Sequence, residues 1–130
     1  MQFWKVFLIL AGFFGATAVG FGAFGAHGLK DILSVRMLEV YQTAVKYQMF
    51  HVSALLSLGI LLKFLESKTL QAAGVFFSIG IIIFSGSLYT LSLTGIKWLG
   101  AITPIGGVFF IIGWMFLAWG VIKSPTKPQD

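Results

Sequence analysis

Residues 69–122 read TLQAAGVFFSIGIIIFSGSLYTLSLTGIKWLGAITPIGGVFFIIGWMFLAWGVI and carry a single charge, Lys97. A membrane-spanning helix needs ~20 predominantly apolar residues. The stretch is too long for one crossing and fits two, divided at Gly95-Ile96-Lys97, where Gly95 is a natural helix stop. Upstream, Glu66-Ser67-Lys68 separates it from a second apolar run, Tyr47 to Leu62, extended by Phe64 and Leu65 if Lys46 and Lys63 snorkel. A further uncharged run of 21 residues covers Val6 to Ala26. Four spans follow, over about residues 5–26, 45–65, 70–93 and 99–122.

Composition agrees. The 130 residues are 58% hydrophobic, with nine basic and four acidic side chains. A soluble domain has roughly a quarter of its residues charged, so this chain needs hydrocarbon around it. The fold class expected is all-α, an integral membrane four-helix bundle with up-down-up-down topology, because short connections make consecutive helices antiparallel neighbours. Lys5 and Ala16-Thr17-Ala18 loosely fit a secretory signal, but the run stays apolar beyond that point, so a retained helix is expected. The link over 27–44 is the one sizeable loop. Ser34 suits an N-cap, and the segment after it reads either as an interfacial helix or as an extension of span two. Residues 123–130 form a polar, proline-containing tail expected to be disordered.

With this topology the termini share one side. Lys5, Lys63, Lys68, Lys123 and Lys127 lie there, against Lys30, Arg36, Lys46 and Lys97 on the other. That bias places both termini in the cytoplasm by one residue. The basic residues stand singly at helix ends, so the net charge of +5 anchors helices to headgroups and does not imply nucleic acid.

Small residues form stripes. Ala11, Gly15, Ala18, Gly22 and Gly25 share one face of span one; Gly74 and Ser78 lie on span three; Gly106, Gly113 and Gly120 recur at heptad spacing on span four. In lipid, helices associate through close backbone approach at such positions. The stripes predict tight packing, within one chain or between copies.

The polar residues are unevenly distributed. His27, Tyr47, Gln48, His51, Ser85, Ser87, Tyr89 and Thr103 all fall on the side of the first and third loops, while the other half is aliphatic and aromatic. Two readings fit: interhelical hydrogen bonds, with Ser or Thr satisfying the carbonyl left free by Pro104, or a polar pocket open to one side. An imidazolium at the depth of His51 would be costly, so a neutral ring reaching toward Ser85 and Tyr89 is expected. No span holds a carboxylate, unlike small four-helix exporters that need one. With no cysteine, thiol chemistry and thiolate metal sites are excluded. No cofactor or metal is expected. Gly20-x-Gly22-x-x-Gly25 matches a dinucleotide fingerprint only as text, since it lies inside a membrane helix.

Several segments in order carry a resemblance: Gly22-Ala23-Phe24-Gly25-Ala26-His27-Gly28-Leu29, Thr43 to His51, Phe84-Ser85-Gly86-Ser87-Leu88-Tyr89, Thr103-Pro104-Ile105-Gly106-Gly107 and Gly113-Trp114. Together they resemble the bacterial small membrane proteins gathered as domain-of-unknown-function family 423, also called UPF0382. The resemblance implies a multi-pass inner-membrane protein and brings no activity, substrate or catalytic residue with it. The expected role is a non-enzymatic component that binds membrane lipid, a membrane-protein partner or another copy of itself. The alternatives are a small transporter or pore using the polar half, and an enzyme on a membrane-soluble substrate with His51 or His27 as acid–base.

Overall fold

The computed structural model describes residues 1–129. Helix α1 covers Phe3–His27 and α2 covers Val35–Phe64. The third span is a continuous helical rod made of α3 (Lys68–Gly80), a π-helical turn (Ile81–Ser85) and α4 (Gly86–Thr94). A 3₁₀ turn over Lys97–Ala101 leads into α5, Thr103–Lys123. The four rods are each long and apolar enough to cross a membrane.

Local chemistry sets the ends. Ser34 caps α2 by accepting the amide of Met37 at 3.2 Å, and Ser67 caps α3 by accepting that of Leu70 at 3.1 Å. Gly95 ends α4 in the left-handed region at φ 72°, which L side chains rarely adopt. Of the two readings of the segment after Ser34, the structure has the extension of span two: the first link shrinks to residues 28–34, and α2 with its 30 residues is about 45 Å long. One boundary differs from the sequence reading. Span four is broken into the 3₁₀ turn and α5, which puts Pro104 in the first turn of a helix. Its missing N–H is there one of the groups with no intrahelical partner in any case, so no interior bond is lost.

The tail also departs from expectation. Lys127 donates its amide to the carbonyl of Phe64 at 2.7 Å and its ammonium to that of Leu62 at 2.8 Å. These carbonyls are among the last four of α2, which lack intrahelical N–H donors and favour a cation. The C-terminal segment therefore folds against the α2–α3 link, where Thr126 also bridges to Leu65. Asp130 lies outside the described residues.

α1 packs along α2, the third span packs along α5, and α2 and the third span form the middle of the bundle. The core runs from Phe7, Leu58, Leu62 and Leu70 in the half nearer the termini through Leu55 and Phe77 to Phe110, which lies against His51. The glycines of α5 set its distance from the third span. A Cβ on Gly106 would lie 2.5 Å from the backbone nitrogen of Phe84; on Gly113, 2.7 Å from the ring of Phe77; on Gly120, 2.7 Å from Leu70. Both partners step by seven, in opposite directions, as antiparallel rods require. Gly74 takes the ring of Phe7, and Gly25 that of Tyr41. Gly15 and Gly22 meet only Val52 and Val45, at 3.4 Å. Ala11 and Ala18 are buried against α2, and Ser78 turns its hydroxyl back to the carbonyl of Gly74 at 2.8 Å. Gly59, which takes Leu8, and Gly80, which takes Phe110, are equally close without belonging to any stripe.

Candidate functional site

The polar residues do not form one pocket. They divide into three groups, each tying particular helices. The first centres on Gln48 of α2, which is 2% exposed. Its amide nitrogen donates to the carbonyl of Phe14 and to the hydroxyl of Thr17 on α1, both at 2.9 Å. Its oxygen accepts the hydroxyl of Tyr89 on α4 at 2.7 Å. One amide thus joins three helices. Around it, Tyr41 donates to the carbonyl of Phe21 at 2.6 Å and Ser85 to that of Ala44 at 2.7 Å. The π-helical turn that ends at Ser85 gives this serine its reach across to α2.

The second group is His51. Its Nδ1 lies 2.8 Å from the carbonyl of Tyr47, one turn earlier on the same helix. A carbonyl only accepts, so Nδ1 carries the proton. Nε2 then accepts from the indole N–H of Trp114 on α5, at 3.1 Å. The ring is neutral in this arrangement and both nitrogens are engaged. Its face stacks on Phe110 with centroids 3.5 Å apart and planes at 7°. The partner of His51 is therefore Trp114, not Ser85 or Tyr89. The third group is a hydroxyl pair, Ser87 on α4 and Thr103 on α5, 2.6 Å apart.

His27 joins none of these. It is exposed at the end of α1. Tyr47 contributes its carbonyl to His51 and its ring to Phe84, 4.5 Å away, and is itself 41% exposed. Sequence reading missed Thr17, Tyr41 and Trp114. A lone Thr and a Trp in mid-span were the available signals, since an indole N–H at membrane depth, away from water, needs an acceptor within the protein.

Beside the Gln48 network, α1 and the third span separate. They meet at one end through Phe7 in the notch of Gly74, and at the other through Phe21 edge-on to Tyr89, with centroids 5.0 Å apart. Between these contacts lies a groove of about 270 Å³. Its walls include Phe13, Phe21 and Ile82, all well exposed, and its floor carries Thr17, Gln48 and Tyr89. Every buried side-chain polar atom among the described residues has a hydrogen-bond partner. The groove is thus apolar in its walls, with a floor whose donors are already used.

These features define the class: a polytopic α-helical membrane protein held by glycine notches and saturated interhelical hydrogen bonds. The chain belongs to the family described as a protein of unknown function (DUF423), whose model matches residues 21–107. It is 50% identical over 119 residues to a UPF0382 membrane protein of Staphylococcus saprophyticus, covering 92% of this chain and 98% of that one. It is 51% identical over 119 residues to one from Staphylococcus aureus strain USA300, covering 92% and 97%. The UPF0382 membrane protein YwdK of Bacillus subtilis is 45% identical over 120 residues, covering 92% and 98%. No solved structure matches the chain.

Proposed function

We propose that this is a non-enzymatic component of the bacterial plasma membrane that binds membrane lipid in the groove between α1 and the third span. The observation that carries the reading is the groove itself: it opens sideways toward the bilayer between two closed ends, with apolar walls. Ligand pockets usually run to roughly 300–1,000 Å³. A groove of about 270 Å³ suits part of one acyl chain. The floor speaks against transport. A polar solute path needs groups able to exchange partners with water, and here Gln48, Thr17 and Tyr89 satisfy one another. The same saturation speaks against acid–base work by His51, whose two nitrogens are engaged.

Gly86 lines the groove, and a Cβ there would meet nothing within 4 Å, so Gly86→Leu is expected to occupy the groove. Purified in mild detergent, the wild type is expected to carry phospholipid detectable by mass spectrometry. Gly86→Leu is expected to carry less at equal thermal stability. A lipid-free wild type, or equal lipid in both, defeats the reading. For orientation we propose cytoplasmic termini, on the five-to-four basic bias. Reporter fusions after Lys68 and at the C-terminus should both report the cytoplasm; both reporting the outside reverses the orientation.

A further inference from the structure

On the loop-one side of α2 lies a second lipid-facing feature, separate from the Gln48 groove. Lys46 is exposed, and it borders two cavities at once. One, of about 380 Å³, runs between α1 and α2 past Gly22, Val45 and Met49. The other, of about 580 Å³, lies on the opposite flank past Thr43, Tyr47 and Phe50. Their lining is graded along the helix. Gln42 and Thr43 lie one turn toward the loop from Lys46, and Met49 and Phe50 lie one turn toward the bilayer centre.

Depth fits this gradient. Lys46 and Lys63 are 17 positions apart in one helix, about 25 Å at 1.5 Å per residue. The hydrocarbon core is about 30 Å thick, so the two lysines mark its edges and snorkel outward. Glu39, two turns farther out on the same face, is about 10 Å away along the axis. The ammonium thus stands at phosphate level with a cavity on either side, each bordered one turn deeper by an apolar residue, Met49 or Phe50.

We propose that Lys46 is the headgroup contact of an anionic phospholipid site, with the two acyl chains running down the flanking grooves. Charge complementarity selects the anionic headgroup. The two-sided apolar grooves select a two-chain lipid of the bilayer over a free anion. This rests on the lipid-binding reading above but places the headgroup at different residues.

Native mass spectrometry of the full chain in mild detergent tests it, by titration with phosphatidylglycerol and separately with phosphatidylcholine. Wild type is expected to prefer phosphatidylglycerol. Lys46→Gln should weaken phosphatidylglycerol binding about fivefold, the effect of one cation near a membrane surface, and leave phosphatidylcholine unchanged. Lys46→Arg should restore the preference. Lys97→Gln, a basic residue on the same side that lines a different cavity, should leave it within about twofold. Equal loss in Lys46→Gln and Lys97→Gln would mean general surface charge and overturn the site. Equal affinity of wild type for both lipids, or no effect of Lys46→Gln, overturns it as well. If Gly86→Leu reduces retained lipid while Lys46→Gln does not, the groove over Gln48 stands and the Lys46 site falls.

Discussion

The two helix pairs on the flanks of this bundle are held by different means. Between α5 and the third span, shape does the work. Gly106, Gly113 and Gly120 receive Phe84, Phe77 and Leu70, and one hydroxyl pair, Ser87 with Thr103, adds a polar tie. Between α1 and α2 the glycines in the middle of the stripe are looser, Gly15 and Gly22 being in ordinary van der Waals contact with valines, and tight notches stand only toward the two ends, Gly25 against Tyr41 and Gly59 against Leu8. Polar bonds tie that pair instead, through Tyr41 and Gln48 to carbonyls of α1. Water is absent from the bilayer core, so neither device gains from the hydrophobic effect. Dispersion at short range and hydrogen bonds made internally are what remain. The pair held by shape has little tolerance for added volume. The pair held by hydrogen bonds tolerates volume along its middle, at Gly15 and Gly22, and is sensitive to losing a polar group.

The largest effect is therefore expected at Gly106. A methyl there would meet the nitrogen, Cα and Cβ of Phe84 at 2.5–2.8 Å, and backbone cannot rotate aside. Gly106→Ala should cost about 3 kcal/mol, the upper range for overpacking, seen as a large fall in folded yield and in thermal midpoint in detergent. A midpoint near wild type would mean that the rods slide apart freely and that shape is not what holds them. Next comes Gln48→Leu, similar in volume but without the amide. It leaves the Tyr89 hydroxyl without its acceptor and frees the hydroxyl of Thr17. A loss of about 1–2 kcal/mol is expected, between the membrane average and the cost of an unsatisfied buried group. Equal stability to wild type would reduce the α1–α2 pair to packing alone.

His51→Phe should cost less, about 1 kcal/mol. Phe keeps the stack on Phe110 and loses the acceptor for Trp114 together with the Nδ1–H bond to the carbonyl of Tyr47. A double-mutant cycle with Trp114→Phe isolates that bond. Trp114→Phe should cost less in the His51→Phe background than in wild type, by the worth of the Nε2–indole bond, because the indole's contacts with Phe50 and Phe77 are lost in both. Full additivity would show the two side chains to be uncoupled.

The four rods are legible in the sequence because hydropathy and span length are read directly from composition along the chain, and Ser34 and Gly95 because capping depends on local geometry. The depth of the polar residues is legible for the same reason. Their partners are not. Spacing puts Tyr47 and His51 on one face of α2, but which helix that face meets depends on how the rods rotate. His51 meets Trp114 across the middle, and Ser85 meets a carbonyl of α2 through a π-helical turn that its sequence does not announce. Gly59 and Gly80 give no signal because a lone glycine has no period, although each receives a side chain as closely as any stripe member. The C-terminal segment reads as a disordered tail because a lysine that caps a distant helix cannot be told by composition from one in solvent.

The smallest effect should come from Gly22→Ala, and it bears most directly on the contrast between the two pairs. Gly22 and Gly106 look alike in the sequence, each a glycine in a small-residue stripe of an apolar helix. A Cβ at Gly22 would meet one atom, Cγ1 of Val45, at 3.4 Å, and that atom ends a side chain. The contact is snug but not blocked. Against it stands the gain in helix propensity of Ala over Gly, about 1 kcal/mol in an aqueous helix interior. The two terms nearly cancel, so the thermal midpoint should correspond to a change within about 0.5 kcal/mol of zero. Gly12, with nothing within 4 Å, is the reference for propensity without contact. If Gly22→Ala falls below Gly12→Ala by as much as Gly106→Ala does, α1 and α2 are as tightly fitted as the other pair and the distinction collapses. If Gly22→Ala and Gly12→Ala agree, the middle of the α1 stripe marks a face toward α2 without setting its distance, which is then fixed by the notches at Gly25 and Gly59 and by Gln48, Tyr41 and the carbonyls they hold.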